Sequence, residues 1–363
     1  MNILMLNWRD IKNPLHGGAE VVTHEHMKRW VKAGHSCTLF ASAFPGCLKE
    51  EEIEGYKVVR GGNRYSVYYQ AYRHYKENRG NFDLVIDQVN TIPFFTPLYV
   101  KDAKIMSFFH QLCREIWFYE MSFPFSLVGY VLEPLYLRLY RKYPSIAVSE
   151  STRKDLLRYG IRNVSVIPEG INFEPLKKVG QKEKNSLIYV GRLKKSKRVH
   201  HILRALALVT KKIPDAKLYV VGEGDEKYKN YLKKLVKRNN LKNNVKFTGY
   251  IDFIERNKLM SRAEAIIVAS VKEGWGLIAT EANALGTAAI VYDVDGLRDS
   301  VRNNVTGLVV EPDPDHLSEA IVGYLQDNEL KRRLSKNALE DSRRFDWDKS
   351  AMESLRSLQA ISG

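Results

Sequence analysis

Cysteine is scarce in this chain. The three that occur do not have the spacing of a metal site: Cys37, Cys47 and Cys113. This scarcity excludes a disulfide scaffold and fits a reducing cytosol. Long apolar runs are missing as well, since the longest uncharged stretch near the middle, Met121 to Leu132, contains Pro124 and ends at Glu133. The apolar start, residues 3–6, is too short for a signal peptide and predicts a first strand. We therefore expect a cytoplasmic protein that is soluble or peripheral on a membrane.

Acidic residues are outnumbered: 42 Asp and Glu stand against 57 Lys and Arg, which gives a net charge of +15. The excess concentrates between Lys177 and Lys246, where there are 21 basic residues and 5 acidic ones. This segment either attracts polyanions or an anionic membrane surface, or is a solvated lysine-rich face. It contains no nucleic-acid-binding module, and the aromatic residues cluster elsewhere, so we expect no nucleic-acid partner.

The 363 residues are enough for two domains of ordinary size. Short β-branched runs alternate with helical patterns in both halves, which predicts two mostly parallel sheets covered by helices. The first half has predicted strands at residues 3–6, 36–41, 56–60, 83–87, 104–109 and 145–149. The second half has them at residues 187–190, 218–221, 245–250, 265–269, 288–292 and 307–310. The charged segment between the halves, Glu174 to Asn185, predicts a linker.

One stretch, Glu273 to Gly286, predicts a ligand site. It follows the apolar run at residues 265–269 and passes through Glu-Gly-Trp-Gly into strong helix formers, so we expect a strand, a glycine turn and a helix. The glycines let the backbone approach a ligand, and the first helix amides form an anion seat. Glu273 and Glu281 bracket this seat and suit hydroxyls on either side of a phosphate, as in a sugar nucleotide. Alternatively, Glu273 complements the helix dipole and Glu281 is a solvated helix residue.

Glycine-rich and basic turns follow other predicted strands. Gly17 and Gly18 separate the first strand from a helix, which again offers free amides to an anion. Arg192 and Lys197 flank the turn after the first strand of the second half. A forked guanidinium and a compact ammonium together suit a diphosphate leaving group.

His110 follows the predicted strand at residues 104–109. In open α/β sheets the ligand crevice lies at the carboxyl ends of the strands. We therefore expect a functional histidine here, although an isolated histidine is more often structural.

Aromatic residues concentrate in two places. Five tyrosines at helical spacing lie on a basic segment: Tyr65, Tyr68, Tyr69, Tyr72 and Tyr75. They predict either an amphipathic helix in a membrane interface or the core-facing side of a helix. The aromatic-rich stretch from Glu115 to Tyr143 suits an apolar acceptor, a lipid surface or a large local core.

Taken in order, these motifs resemble the family-4 retaining glycosyltransferases of GT-B fold. The signature of that family is two glutamates separated by seven residues, with Gly-x-Gly after the first, and Glu273 to Glu281 has it intact. The resemblance spans nearly the whole chain and also rests on residues 17–20, 110, 147–157, 166–172, 191–197 and 222–224. It departs at Glu169, where the family often has asparagine, and at Arg198, where it commonly has glycine.

The resemblance implies an α/β GT-B fold, in which two Rossmann-like domains with parallel sheets face a central cleft. It implies an acceptor-binding domain over residues 1–173 and a nucleotide-sugar-binding domain over residues 174–344. A carboxyl-terminal helix, about 345–363, is expected to cross back onto the first domain.

The resemblance also implies residue roles. Glu273 would sit beside the donor sugar and Glu281 would hydrogen-bond the ribose. Cations would hold the diphosphate, and His110 would approach the donor sugar. The implied catalytic residues are His110, Arg192, Lys197 and Glu273. The implied donor-binding residues are Gly17, Gly18, Gly191, Gly222, Gly224, Tyr250, Gly274, Trp275, Gly276, Leu277, Ile278 and Glu281.

Neither a cofactor nor a metal is expected, because the family is usually metal-independent. Asp293-Val294-Asp295 superficially matches a D-x-D metal motif but is predicted to be a loop after a strand. No protein nucleophile is evident. The resemblance therefore implies retention by front-face attack, in which the leaving phosphate accepts the acceptor's proton.

The expected function is transfer of a hexosyl group from a UDP- or GDP-sugar to a glycan or lipid-linked acceptor, in the synthesis of a cell-surface glycoconjugate. An anionic membrane surface, at the inner face of the cytoplasmic membrane, is an additional expected partner. Two alternatives stay open. One is a sugar synthase or phosphorylase with a small soluble acceptor, and the other is a non-catalytic module that binds membranes or polyanions.

Overall fold

A computed structural model describes residues 1–362, and the chain divides into two compact units. Unit 1 comprises Met1–Trp117, Met121–Gly170 and the segment that begins at Asp346. Unit 2 comprises Phe118–Glu120 and Ile171–Phe345. Gly363, the last residue of the predicted carboxyl-terminal helix, lies outside the described residues. Among the described residues, no helix is both long enough and apolar enough to cross a membrane.

Unit 1 contains an eight-stranded sheet. Its strands are β1 (Asn2–Leu6), β2 (Ser36–Ala41), β3 (Glu50–Ile53), β4 (Tyr56–Arg60), β5 (Leu84–Val89), β6 (Lys104–Phe109), β7 (Ser145–Ala147) and β8 (Val164–Val166). Their order is β3-β4-β2-β1-β5-β6-β7-β8, and every pairing is parallel except that of β3 with β4. β5 is buried along its whole length, as its apolar run predicts for a central strand.

Helices connect these strands. They are α1 (Gly18–Lys32), α2 (Val67–Glu77), α3 (Thr96–Tyr99), α4 (Trp117–Glu120), α5 (Phe125–Leu137) and α6 (Glu150–Arg158), with 3-10 turns at Arg114–Ile116 and Arg138–Tyr140. On α2, Tyr68 and Tyr72 pack against rings of the unit, Tyr75 is buried and Tyr69 is exposed. Tyr65 precedes the helix and is exposed. The five tyrosines therefore do not form one face, and the core-facing interpretation holds for three of them.

Unit 2 contains a six-stranded parallel sheet. Its strands are β9 (Ser186–Val190), β10 (Lys217–Val221), β11 (Val245–Gly249), β12 (Ala265–Val268), β13 (Ala288–Tyr292) and β14 (Gly307–Val310), in the order β11-β10-β9-β12-β13-β14. Its helices are α7 (Val199–Lys212), α8 (Glu226–Arg238), α9 (Phe253–Arg262), α10 (Leu277–Ala284), α11 (Leu297–Ser300), α12 (Pro314–Gln326) and α13 (Asn328–Ser342), with a 3-10 turn at Lys195–Lys197.

The last helix, α14 (Trp347–Ser362), belongs to unit 1 and packs against α1. The indole Nε1 of Trp30 donates to Ser354 Oγ at 3.1 Å, and His26 Nε2 lies 3.0 Å from Ser350 Oγ. These polar contacts lie in a buried seam, because Trp30 and His26 are both buried.

Each sheet has one point at which the strand order reverses direction. In unit 1, β1 lies between β2 and β5, and in unit 2, β9 lies between β10 and β12. Loops leaving the carboxyl ends of two such neighbouring strands diverge and leave a crevice in which ligands of open α/β sheets bind. The predicted α/β architecture with two parallel sheets is confirmed, and these two strand junctions locate the candidate sites.

Candidate active site

The loops that follow β9 and β12 meet through a lysine and a glutamate. Lys197, in the 3-10 turn before α7, forms an ion pair with Glu273 through the carboxylate oxygen Oε1. Ser270 Oγ donates to the same oxygen at 2.5 Å. The backbone amide of Val271 donates to the carbonyl of Ser196 at 2.8 Å and joins the two loops directly. The structure thus brings together two of the four predicted catalytic residues at the strand junction of unit 2.

Three residues, Gly274 to Gly276, separate Glu273 from the start of helix α10 at Leu277. Gly276 precedes the helix with a φ of 96°, and a Cβ there would lie 2.8 Å from Leu297 Cδ2, so the turn requires glycine. The first amides of α10, from Leu277 and Ile278, have no partner within the helix and carry the positive end of its dipole. The predicted strand, glycine turn and helix are all present, and the amino end of α10 has the amides that the predicted anion seat requires.

Trp275 sits within this turn and is buried. Its ring packs edge-on against Phe345, with ring centroids 5.6 Å apart. Its indole Nε1 is buried and has no hydrogen-bond partner among residues 1–362. Trp275 therefore fixes the turn by packing.

Glu281 lies on α10 with only 8% of its surface exposed, so the interpretation as a solvated helix residue is wrong. Burial raises the pKa of its carboxyl, and the guanidinium of Arg256, 3.0 Å away, opposes that rise. Arg256 itself lies over the ring of Phe253 at 4.7 Å. Sequence reasoning missed Arg256, because nothing in the α9 pattern indicates which of its polar residues faces α10.

Arg192 is exposed, and within the described part of the chain no carboxylate forms an ion pair with it. Its carbonyl accepts a hydrogen bond from the buried hydroxyl of Tyr189 at 2.9 Å. The structure places Arg192 on the same turn as Lys197, but only the lysine contacts a glutamate of the site. Its guanidinium is available to an anion.

A glutamate from an earlier part of the chain fixes the same turn. Glu120, within unit 2, accepts from Lys194 Nζ at 2.6 Å and from Ser196 Oγ at 2.5 Å. Burial alone would raise the pKa of the Glu120 carboxyl, but these two hydrogen bonds, together with the charges of Lys194 and Arg192, outweigh burial and the pKa is lowered. Glu120 therefore stabilises the turn that carries Lys197, in addition to the contacts made by the loop that carries Glu273. No sequence motif marked Glu120.

The predicted glycines Gly191, Gly222 and Gly224 bring two turns into contact. A Cβ on Gly222 would lie 2.1 Å from the carbonyl oxygen of Gly191, and a Cβ on Gly224 would lie 2.1 Å from that of Leu193. Their physical role here is close backbone approach, which supports the basic turn. Tyr250, also predicted to bind the donor, follows β11 and is 82% exposed.

A further loop, after β13, covers the backbone of the glutamate turn. The amide of Glu273 donates to the carbonyl of Asp295 at 3.0 Å, and a Cβ on Gly296 would lie 2.3 Å from the carbonyl oxygen of Glu273. Lys272 pairs with Asp295 at 3.0 Å. In the sequence, this loop is marked only by the Asp-Gly pair that follows a predicted strand. Asp293 and Asp295 pair with Arg298 at 2.6 and 2.5 Å, and the described residues contain no group of three or more His, Cys, Asp or Glu arranged to hold a metal ion.

In unit 1, His110 directly follows β6 and is buried. Its Nε2 lies 3.2 Å from Gln88 Oε1, and Gln88 Nε2 donates to Thr23 Oγ1 at 2.7 Å. Burial lowers the pKa of His110 to about 3, so its imidazole is neutral near pH 7. Its Nδ1 is buried without a hydrogen-bond partner in the described residues. The histidine therefore keeps one ring nitrogen without a partner at the carboxyl end of a parallel strand, the end at which open α/β sheets generally bind ligands.

Gly17 and Gly18 lie at the start of α1, as predicted, but the amide of Gly17 is not free. It donates to Glu20 Oε2 at 2.6 Å, which places a carboxylate at the helix end. Arg9 Nε lies 3.4 Å from the other carboxylate oxygen of Glu20. An anion bound at this end of α1 has to compete with Glu20 for the Gly17 amide.

Solved structures show the class of fold. Sucrose-phosphate synthase from Thermosynechococcus elongatus superposes with a TM-score of 0.81 at 21% identity, covering 99% of this chain and 98% of its own. Anabaena HepE, in complex with UDP-glucose, has a TM-score of 0.77 at 17% identity, covering 99% of this chain and 100% of its own. The fold class is thus GT-B, as predicted.

Two family models match the chain and together extend over residues 16–341. Residues 16–175 match Glycosyltransferase Family 4, and residues 172–341 match Glycosyl transferases group 1. The chain belongs to this family of glycosyltransferases, which confirms the resemblance found in its motifs.

Two curated relatives illustrate the range of similarity. Phosphatidyl-myo-inositol mannosyltransferase of Mycolicibacterium smegmatis is 24% identical over 349 residues, 91% of this chain and 87% of the relative. An uncharacterized glycosyltransferase of Methanocaldococcus jannaschii is 30% identical over 190 residues, 52% of this chain and 47% of the relative. The chain thus spans about half the length of this second relative.

Proposed function

We propose that the protein transfers a hexosyl group, with retention, from a nucleotide-diphosphate sugar to a lipid-linked or other glycan acceptor in the synthesis of a cell-surface glycoconjugate. One observation carries the proposal. Lys197 and Glu273 are paired at the strand junction of unit 2, beside the amino end of α10. A fixed cation, a helix dipole and a carboxylate at one point suit a sugar diphosphate.

Unit 2 is assigned the donor. The first amides of α10, together with Lys197 and Arg192, bind the diphosphate, and Glu273 contacts the sugar. Glu281, buried further along α10, accepts hydrogen bonds from the ribose, for which its contact with Arg256 has to rearrange or be shared. The likeness to HepE, solved with UDP-glucose, supports a donor of this class. UDP- and GDP-sugars are the two candidates.

Charge separation explains how this arrangement catalyses transfer. As the bond from the anomeric carbon to the phosphate stretches, negative charge grows on the diphosphate and positive charge grows on the sugar. Cations and amides fixed beside the diphosphate stabilise that charge, and loss of one such contact typically costs about 3 kcal/mol. In the proposed mechanism Lys197 and Arg192 supply this stabilisation without a metal ion. The leaving phosphate takes the acceptor's proton as the acceptor attacks from the same face.

Unit 1 is assigned the role of binding the acceptor. Helix α5 supports an acceptor that is linked to a lipid. Seven apolar side chains on and just before α5 are exposed, and we call them the α5 apolar surface: Phe123, Phe125, Leu127, Val128, Val131, Leu132 and Leu135. With 13 residues, α5 is about 20 Å long, too short to cross a bilayer. An apolar helix surface of this length suits the interface of a membrane.

A narrow strip holds α5 in place and leaves the apolar surface outward. Ser126, Glu133 and Leu137 are buried, and a Cβ on Gly129 would lie 2.5 Å from the ring of Trp117. The Glu133 carboxylate accepts from the backbone amide of Cys113 at 2.6 Å. Cys113 lies three residues after His110. The hydrogen bond from Cys113 to Glu133 therefore connects α5 to the segment that follows His110.

The charge next to the α5 apolar surface favours an anionic bilayer over a protein groove as its partner. Arg138, Arg141 and Lys142 follow the helix and are exposed. Between Phe123 and Lys142 the only acidic residue is Glu133, which is buried. Apolar burial and attraction to anionic lipid therefore act at one place, and they support a peripheral position on the inner face of the cytoplasmic membrane.

A panel of nucleotide sugars tests the proposal. Thermal shift with UDP-, GDP- and ADP-sugars is expected to show stabilisation by one class, because a ligand that binds only the native state raises its stability. The sugar that stabilises the protein is then incubated with lipid extracts, with and without EDTA, and the anomeric configuration of the product is read by NMR. Turnover that persists in EDTA and retains configuration is expected.

The other outcomes separate the alternatives. Release of a phosphorylated sugar from a disaccharide and inorganic phosphate would identify a phosphorylase. Vesicle binding without binding or turnover of any nucleotide sugar would identify a non-catalytic module and overturn the proposal.

A further inference from the structure

Unit 2 contains a pocket at the amino ends of its strands, opposite the carboxyl ends where Lys197 and Glu273 lie. It has a volume of about 650 Å³ and lies between α13 and the chain segment that leads into β9. Lys182, just before β9, and Glu264, just before β12, line it, so it lies at the amino ends of these strands. A pocket of this size is typical of small-molecule sites. No part of the donor site assigned above reaches it.

The lining of this pocket is strongly basic. It contains five lysines and two arginines against two glutamates: Lys177, Lys178, Lys182, Lys331, Lys336, Arg332 and Arg343, with Glu264 and Glu340. Helix α13 contributes one face at spacings of three or four residues, and residues 177–182 contribute the opposite wall. Like charges gathered in one concave site repel one another and favour a bound anion.

The two glutamates do not neutralise this charge. Glu264 uses one carboxylate oxygen to accept from Lys331 Nζ at 3.0 Å and the other to accept from the backbone amide of Asn185 at 3.0 Å. Glu340 approaches Lys336 at 3.9 Å, and both are exposed. In the described residues, no carboxylate forms an ion pair with four of the cations: Lys177, Lys178, Arg332 and Arg343.

Lys182 adds a buried amine to the lining. Its Nζ donates to Thr287 Oγ1 at 2.6 Å and to the carbonyl of Ser261 at 2.8 Å, and neither acceptor is charged. Burial lowers the pKa of Lys182 to about 7, with Glu264 opposing the shift. An anion in the pocket would add negative charge beside this amine, whose two hydrogen-bond acceptors are neutral.

Apolar groups also line the pocket. The side chains of Val179, Tyr324 and Leu339 contribute to it, so a ligand with a compact organic part has something to pack against. Thr287, the partner of Lys182, follows α10 closely, and the first amides of that helix border Glu273. The pocket therefore adjoins the carboxyl end of the helix whose amino end lies in the candidate active site.

We propose that this pocket, formed by α13 and residues 177–182, binds a small molecule that carries two or more phosphate groups. The volume suits a small molecule rather than a polymer, and several unpaired cations in one concave site favour a ligand with more than one negative charge. Binding here is independent of glycosyl transfer, so it can fail or succeed separately from the proposed function.

Titration calorimetry with inorganic tripolyphosphate and with a hexose bisphosphate tests the site. All proteins carry Lys197→Ala, which weakens anion binding in the candidate active site. The pocket variant adds Lys178→Glu and Arg332→Glu. The matched control adds Lys237→Glu and Lys242→Glu, which change the net charge equally on exposed, unpaired lysines outside the pocket. Thermal melting without ligand verifies that each variant folds.

The Lys197→Ala protein and the control are expected to bind both probes with one-site stoichiometry, and the pocket variant is expected to lose at least tenfold in affinity. Inorganic monophosphate is expected to bind much more weakly than either probe. Equal affinity in the pocket variant and the control would overturn the proposal, as would no binding to the Lys197→Ala protein. An equal loss in both variants, or preferential binding of heparin or anionic vesicles to all of them, would identify a general basic surface and also overturn it.

Discussion

Lys197 and Glu273 belong to loops that leave neighbouring parallel strands, and their side chains form an ion pair at the point where those loops diverge. They are 76 residues apart in the chain. The pair holds a cation beside the amino end of α10 before any ligand arrives. A diphosphate bound there finds a positive group already in position, which lowers the reorganisation needed during reaction.

Replacement of the lysine tests this role. We expect Lys197→Ala to lower kcat/KM by on the order of 100-fold, because the leaving diphosphate loses a fixed positive charge. Lys195→Ala is the matched control, since Lys195 lies on the same turn and is exposed. Steady-state kinetics with the donor found in the thermal-shift panel gives both values. Wild-type turnover in Lys197→Ala would contradict an electrostatic role for this residue.

Glu281→Gln separates donor binding from stability. The substitution removes a charged acceptor proposed to bind the ribose, so KM for the donor is expected to rise about tenfold or more. The melting temperature is not expected to fall, because glutamine also removes a charge that burial disfavours, and Arg256 keeps some exposure to solvent. Glu255→Gln, on an exposed neighbour in α9, is the control. An unchanged KM in Glu281→Gln would remove Glu281 from the donor site.

The contact between two glycine turns predicts a stability effect. In Gly222→Ala the new Cβ would meet the carbonyl oxygen of Gly191 at 2.1 Å, and the φ of 128° is unfavourable for alanine. We expect a loss of more than about 2 kcal/mol in the free energy of unfolding. Gly323→Ala, in the interior of α12 where a Cβ meets nothing within 4 Å, is expected to gain up to about 1 kcal/mol. Urea denaturation measures both, and similar values for the two variants would be inconsistent with the close approach.

Sequence reasoning predicted the turn that carries Lys197 and the strand, glycine turn and helix that carry Glu273 and Glu281, because each follows a strand that its own apolar run reveals. It missed Arg256 and Glu120, since their roles depend on which helix face or loop packs nearby rather than on a local pattern. Gly296 was missed for a related reason: its requirement for glycine comes from the carbonyl of Glu273, a contact distant in the chain.

Strand β3 shows a different limit. Its sequence begins with three glutamates, which disfavour a strand by propensity. The structure compensates with cations, because Glu50 pairs with Lys57 at 2.7 Å and Glu51 pairs with Arg60 at 2.5 Å. Such cross-strand pairs exist only once the hairpin has formed. The antiparallel edge of an otherwise parallel sheet was therefore not predicted.

The α5 apolar surface predicts membrane binding that point changes can weaken. We expect Val131→Ser with Leu135→Ser to lower the affinity for vesicles containing anionic lipid by on the order of tenfold or more, because each side chain loses apolar burial in the bilayer. Leu48→Ser with Ile254→Ser is the matched control, since these two side chains are exposed elsewhere. Vesicle sedimentation at low and high salt measures both pairs. If the two pairs bind equally, α5 is not the docking surface.

Two buried histidines of unit 1 predict a loss of stability in acid. Burial lowers the pKa of His26 and of His110 to about 3, against about 6.5 in the unfolded chain. Between these pH values the unfolded chain binds more protons than the folded chain. The free energy of unfolding is therefore highest above pH 6.5 and falls as the pH falls towards 3. At pH 5 the loss is about 2 kcal/mol per histidine.

His26→Gln tests this acid sensitivity. Glutamine does not take up a proton, so the difference in the free energy of unfolding between pH 7 and pH 5 is expected to shrink by about 2 kcal/mol relative to the wild type. His316→Gln provides the opposite control. The carboxylate of Asp313 raises the pKa of the exposed His316, so that histidine favours the folded state in acid and its removal does not reduce the acid loss. Urea denaturation at the two pH values gives all three differences. An unchanged acid loss in His26→Gln would mean that protonation of the buried seam between α1 and α14 does not control unfolding.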